Sequence, residues 1–194
     1  AYWIVKALAD QGAQVAVGCY TAHATRVAEL LSDTAISGIF PFDAAIEGNT
    51  EAMMGVVGNH FGQVDFAVHS IANAPEAVLK GKFTDITLAD FNRMNQVCVY
   101  SLIEMSRGLW PYLHSASTVL AMTFPPGSQG VMPVYNVGAC KRHLEETIAL
   151  LNRDHGREKG VVVGVGPTAV WTMASREIPY IKGYIEATAE QAPQ

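Results

Sequence analysis

No run of Lys or Arg interrupts this 194-residue sequence, and its formal net charge is −5, so nothing in it draws a nucleic-acid backbone. Its three cysteines, Cys19, Cys98 and Cys140, are scattered without a CxxC pair. That suggests neither a zinc site nor a disulfide framework and makes a reduced, cytoplasmic setting the default. His23, His60, His114, His143 and His155 show no metal-ligand spacing, so no metal is expected. No apolar run is long enough to span a bilayer, and no membrane partner is expected. Internal repeats and low-complexity tracts are absent. So are GxGxxG and GxxxxGK, the glycine-rich turns that cradle phosphates.

What is present is a globular composition. Hydrophobic residues make up 49% and charged residues 16%, enough apolar material for one core over residues 1–194. Apolar spacing predicts a helix over Tyr2–Gln11 with Ile4 and Leu8 on one face, stopped by Gly12. A strand follows at Gln14–Tyr20, then a helix over Thr21–Ser32 with Val27, Leu30 and Leu31 inward. Ile36–Phe42 reads as a second strand. Asn49 and Thr50 are candidate caps for a helix carrying Met54, Val57 and Phe61. Val64–His69 is a third strand. Thr87-Leu88-Ala89-Asp90 fits a capping pattern before a helix of about 25 residues. Its stripe is Phe91, Met94, Cys98, Leu102, Met105 and Leu109. Thr118–Phe124 and Gly160–Val165 are the fourth and fifth strands, with a long helix between them.

Strands alternating with helices, and apolar on both faces, predict an α/β fold: a Rossmann-like, doubly wound parallel sheet in a single domain. Such sheets bind ligands beyond the carboxyl ends of their strands. The residues to watch are therefore Tyr20, Asp43, Ser70–Ala72, Phe124 and Gly166-Pro167. His69 reads as a core histidine, and Glu145 and Glu146 as a solvated helix face.

Tyr135 and Lys141 open the helix after the fourth strand. A phenol and an ammonium at a strand end suit hydride chemistry. The phenol donates a hydrogen bond to an oxygen that gains charge, and the ammonium holds ribose hydroxyls and favours ionisation of the phenol. Each also has a plainer use: Tyr135 as a packed helix-start aromatic, Lys141 as a snorkelling surface side chain.

Five stretches carry a family resemblance: VDFAVHSIANAP at 64–75, VYSLIEMSR at 99–107, MPVYNV at 132–137 with Lys141, Gly166-Pro167, and TMAS at 172–175. In this order they resemble the NADH-dependent enoyl-acyl-carrier-protein reductases, a divergent branch of the short-chain dehydrogenase/reductases. The resemblance implies reduction of a trans-2-enoyl thioester carried on acyl carrier protein, within fatty-acid synthesis, with NADH as cofactor. Tyr135 would then bind the thioester carbonyl, and Lys141 the nicotinamide ribose. Asp43, Ser70, Ile71, Ala72, Gly166, Pro167 and Thr172 would contact the cofactor. Phe124, Met173, Ile178 and Ile181 would line the acyl chain, with 168–190 as its lid.

Measured against that pattern, Ala1 already lies at the first helix, so the first strand with its glycine-rich turn and the last strand are expected to be missing. The absent strand would be central. Either Gln14–Tyr20 and Val64–His69 close on each other, or backbone groups stay unpaired at about 1–3 kcal/mol each. Lys141 follows Tyr135 by six residues, one fewer than in the pattern. On a regular helix that turns the pair roughly 120° apart. These departures hold open an alternative, a non-catalytic relative serving as an assembly or regulatory subunit. Apolar residues on more than one face of the helices at Leu88–Leu113 and Pro133–Asn152 predict a homo-oligomer, a dimer or tetramer.

Overall fold

The computed structural model describes residues 1–123, 137–155, 158–167, 171–172, 175–178, 181–183 and 185–186. The strands follow the order expected from periodicity, and a short helix, Glu76–Lys80, which was not expected, is added after the third. Helix α1 (Tyr2–Asp10) leads to strand β1 (Ala16–Tyr20), helix α2 (Ala24–Leu30), strand β2 (Gly38–Phe42), helix α3 (Asn49–Phe61) and strand β3 (Phe66–His69). Then come α4 (Glu76–Lys80), α5 (Leu88–Asn95), α6 (Ser101–Leu109), β4 (Thr118–Met122), α7 (Gly138–His155) and β5 (Val161–Val165).

Among the described residues every strand pairing is parallel, as helical crossovers require. β1 pairs with β2, Ala16 opposite Gly38 and Tyr20 opposite Phe42. β3, β4 and β5 form a second sheet in that order, with His69 opposite Ala121 and Ala121 opposite Gly164. Among the described residues no ladder joins β1 to β3. Of the two outcomes expected from a missing central strand, direct closure does not occur.

The core lies on one face of the second sheet. Val119, Ala121 and Val162 are buried there against Met94, Leu102, Leu109, Leu144 and Ile148 of α5, α6 and α7. Burying one such side chain stabilises by about 1.5–3 kcal/mol. Gly164 shares this face, and a Cβ there would stand 3.1 Å from Ile148 Cδ1, so the helix rests on bare backbone. Asn152 closes the edge of the sheet: its Nδ2 donates to Val162 O at 2.6 Å and its Oδ1 accepts from Val162 N at 2.7 Å. The opposite face leaves Phe66, Val161, Val163 and Val165 exposed.

Several local expectations are corrected. Leu30 is exposed, and Leu31 takes the buried place in its turn. Phe91 is exposed as well, because α5 meets the core through Met94. Helix α3 is capped at Gly48, in a left-handed conformation, and not by Asn49 or Thr50. The Gly48 N–H donates to the buried carboxylate of Glu104 on α6 at 2.6 Å, and Asn49 Oδ1 accepts instead from Asp43 N at 2.7 Å. Gly108 lets the two helices touch: a Cβ there would meet Glu51 O at 2.5 Å. Thr87 does cap α5, its hydroxyl accepting from Asp90 N at 3.1 Å. The helix it starts is not continuous. Residues Gln96–Tyr100 form a π-helical turn between α5 and α6, and α6 ends at Leu109 in a short 3₁₀ turn, Trp110–Tyr112.

Candidate active site

Lys141 lies in the first turn of α7, its backbone N–H bonded to Val137 O at 3.0 Å. Its half-buried ammonium reaches back to the end of β4 and donates to Met122 O at 2.9 Å. Among the described residues this commits one N–H of three. Burial disfavours the charged form and lowers the Lys141 pKa, partly offset by Cys98 and Cys140 beside it. Glu145, expected on a solvated face, accepts from Thr123 Oγ1 at 2.9 Å and ties the same helix to the same strand end.

His69 ends β3 and is fully buried. The Ser101 hydroxyl donates to Val97 O at 2.7 Å, so its oxygen accepts from His69 Nε2, also at 2.7 Å. That assigns the Nε2–H tautomer and leaves Nδ1 as an acceptor without a partner among the described residues. Burial, then the positive charge of Lys141, lower the His69 pKa to about 3. It is a core histidine, as expected, though only half satisfied, and it stays neutral at physiological pH.

Asp43 follows β2. Its Oδ1 accepts from Ala45 N at 2.8 Å, which folds the loop back on itself. Ser70 and Ala72 are exposed beyond β3, while Ile71 packs against the core. Gly166 is exposed and Pro167 half-buried after β5. Thr172 and Ser175 cap each other, Thr172 N donating to Ser175 Oγ at 2.7 Å and Ser175 N to Thr172 Oγ1 at 3.0 Å. Ile178 is half-buried and Ile181 buried. Tyr135, Phe124 and Met173 lie outside the described residues, as does much of the 168–190 segment.

The expected residues therefore stand one strand end after another: Asp43 beyond β2, Ser70–Ala72 beyond β3, Lys141 against β4, Gly166-Pro167 beyond β5. What joins them was not expected. The π turn sends Gln96 Nε2 to Ala45 O at 2.9 Å, in the loop of Asp43. Two residues on, Cys98 Sγ meets the backbone of Asn73, accepting from its N–H at 3.4 Å and lying 3.5 Å from its carbonyl oxygen. The turn also packs on α7. π turns are rare and frequent at functional sites. Cys98 of the π turn and Cys140 of α7 are both buried where these two segments pack, Cys140 donating to Met94 O at 3.7 Å.

The profile of the family described as Enoyl-(Acyl carrier protein) reductase matches residues 1–194 of this chain. The chain belongs to the enoyl-acyl-carrier-protein reductase family. Among its relatives, enoyl-acyl-carrier-protein reductase (NADH) 2 of Rhizobium meliloti strain 1021 is 29% identical over 196 residues, covering 100% of this chain and 72% of the relative. A solved enoyl-acyl-carrier-protein reductase from Anaplasma phagocytophilum, in complex with NAD, is 28% identical with a TM-score of 0.80. It covers 92% of this chain and 67% of that one. The NADH enzyme of Aquifex aeolicus, at 24% identity and a TM-score of 0.83, covers 98% and 75% and shares the fold. The split sheet is thus a Rossmann-like frame, and Lys141 stands at the end of its fourth strand in sequence.

Proposed function

We propose that this chain is an enoyl-acyl-carrier-protein reductase of fatty-acid synthesis, reducing a trans-2-enoyl thioester with NADH. The observation that carries the reading is Lys141, an ammonium held at a strand end by Met122 O in a chain whose whole length matches the reductase family. The relatives named above are NADH enzymes or were solved with NAD, and none is named as an assembly subunit, so that alternative is not pursued.

The donor set fits a dinucleotide. Lys141 offers a cation at the β4 end that ribose hydroxyls would use, Ala72 presents no side chain beyond Cβ in an exposed strip, and Asp43 offers a carboxylate at the β2 end. Asp43, Ser70, Ile71, Ala72, Lys141, Gly166, Pro167 and Thr172 would hold the cofactor, and NADH supplies a hydride when bound. Lys141 would hold the ribose and keep positive charge near the reacting oxygen. Tyr135 would donate its phenolic proton to a hydrogen bond with the thioester carbonyl. Phe124, Met173, Ile178 and Ile181 would exclude water from the acyl chain, within a lid over 168–190. The net charge of −5 disfavours nucleic acid, and among the described residues no helix is long and apolar enough to cross a membrane. We place the chain in the cytoplasm as a homo-oligomer; Leu88, Phe91 and Leu150, exposed on α5 and α7, support that assembly.

The test is consumption of NADH by the purified chain with a short trans-2-enoyl thioester. Turnover that falls about a hundredfold or more in Lys141→Ala supports the reading. A folded chain that binds no NADH and turns over no thioester overturns it.

A further inference from the structure

We infer that Gln96 is a positioning residue for the cofactor: it holds the loop after β2 through Ala45 and so fixes where the Asp43 carboxylate stands. The inference rests on the function proposed above, which makes Asp43 a cofactor contact.

The loop is shaped by local bonds. Asp43 Oδ1 accepts from Ala45 N at 2.8 Å, Asp43 O accepts from Ile46 N at 3.1 Å, and Asn49 Oδ1 accepts from Asp43 N at 2.7 Å. Bonds of that span make a turn but do not set its place against the rest of the molecule. Two bonds from distant residues do. Glu104 of α6 takes the Gly48 N–H at the far end of the loop, at 2.6 Å. Gln96 Nε2 donates to Ala45 O in its middle, at 2.9 Å and across 51 residues of sequence. Ala45 is thus held on both sides, its N–H by Asp43 and its carbonyl by Gln96. If Ala45 shifts, the donor that orients Asp43 Oδ1 shifts with it, and the carboxylate turns.

Gln96 is itself a fixed point. It is the first residue of the π turn, next to the buried Val97, Cys98 and Val99. The end of β3 braces that turn: His69 Nε2 donates to Ser101 Oγ and the Ser101 hydroxyl to Val97 O, both at 2.7 Å, with all three residues buried. Cys98 of the same turn accepts from Asn73 N beyond β3 at 3.4 Å. One braced turn therefore sets the loops after β2 and β3 relative to each other. Ala45 and Gln96 are only half-buried, so water can take over a lost bond. The loss then falls on the position of the loop and not on the fold.

The test measures NADH affinity of the whole chain by calorimetry, with KM and kcat from NADH consumption with a short trans-2-enoyl thioester. Gln96→Met keeps the length of the side chain and removes the donor. Affinity should fall about three- to tenfold, the worth of one hydrogen bond. The loss should appear in KM for NADH, with kcat held within about twofold, because Lys141 is untouched. Gln96→Glu sets an acceptor against Ala45 O and should lose at least as much. Gln96→His, whose Nε2–H has a similar reach, should recover most of the affinity. In an Asp43→Ala background Gln96→Met should cost less than about twofold, since the group it acts through is gone. Gln96→Met and Gln96→Glu each test the bond alone should the other fail to fold. Wild-type affinity in both, an undiminished loss in the Asp43→Ala background, or a loss in Gln96→His equal to that in Gln96→Met overturns the inference and leaves the proposed function standing. An unsubstituted chain that binds no NADH overturns both.

Discussion

The two sheets use the same parallel ladder but are supported very differently. β3, β4 and β5 rest on α5, α6 and α7, where Met94, Leu102, Leu109 and Leu144 are buried at 1% exposure or less. β1 and β2 pack with α2, and β2 also with α3; neither α1 nor α2 contains a buried residue. From these two strands Phe42 is buried in the main core and Phe40 packs against it. Ladder hydrogen bonds alone add little, because the unfolded chain bonds to water instead; burial makes the difference. Lys141 thus stands on the well-packed part, while Asp43 stands at the end of the lightly packed part and is anchored by Ala45, Asn49 and Gln96.

The contrast is most exposed to Leu102→Ala. It opens a cavity in the packed part and is expected to cost about 2–5 kcal/mol in urea unfolding. A cost below about 1 kcal/mol would mean that the second sheet is no better supported than the first. Acid comes next. The folded His69 pKa lies below its ordinary value of 6.5, so the unfolded chain takes up the proton first. Stability is whole above pH 6.5 and is lost as pH falls from there towards about 3, at about 1.4 kcal/mol per pH unit. His69→Gln should flatten that slope, measured as urea midpoints across the same window. Thr87→Ala removes the α5 cap and should cost about 1 kcal/mol by the same assay. Leu8→Ala on α1 should change stability by less than about 1 kcal/mol, since its side chain is only half-buried. Amide exchange should be faster in β1–β2 than in β3–β4–β5; equal protection would erase the distinction.

Much of the frame was legible in order and spacing. The five strands, the Thr87 cap and the placement of Lys141 against a strand end all follow from periodicity of 2 and 3.6 and from where polar residues interrupt it. Leu30 and Phe91 were misplaced because spacing identifies a helical face and not the neighbour that covers it. α2 lacks a deep partner, so its apolar face stays partly wet. The cap of α3 was misread because Gly48 is held by Glu104, 56 residues away, and no local pattern encodes that bond.

The sequence alone determined the α/β order and a lysine at the end of the fourth strand. These depend on local periodicity and on the chirality of crossovers, which short stretches specify. The tertiary structure decided that β1 and β3 do not pair among the described residues, that Gln96 and Cys98 of one π turn reach two loops, and that Cys140 meets Met94 O, 46 residues back. Those contacts depend on how helices cross and how closely they approach, and that is set by side chains far apart in the chain packing into one volume.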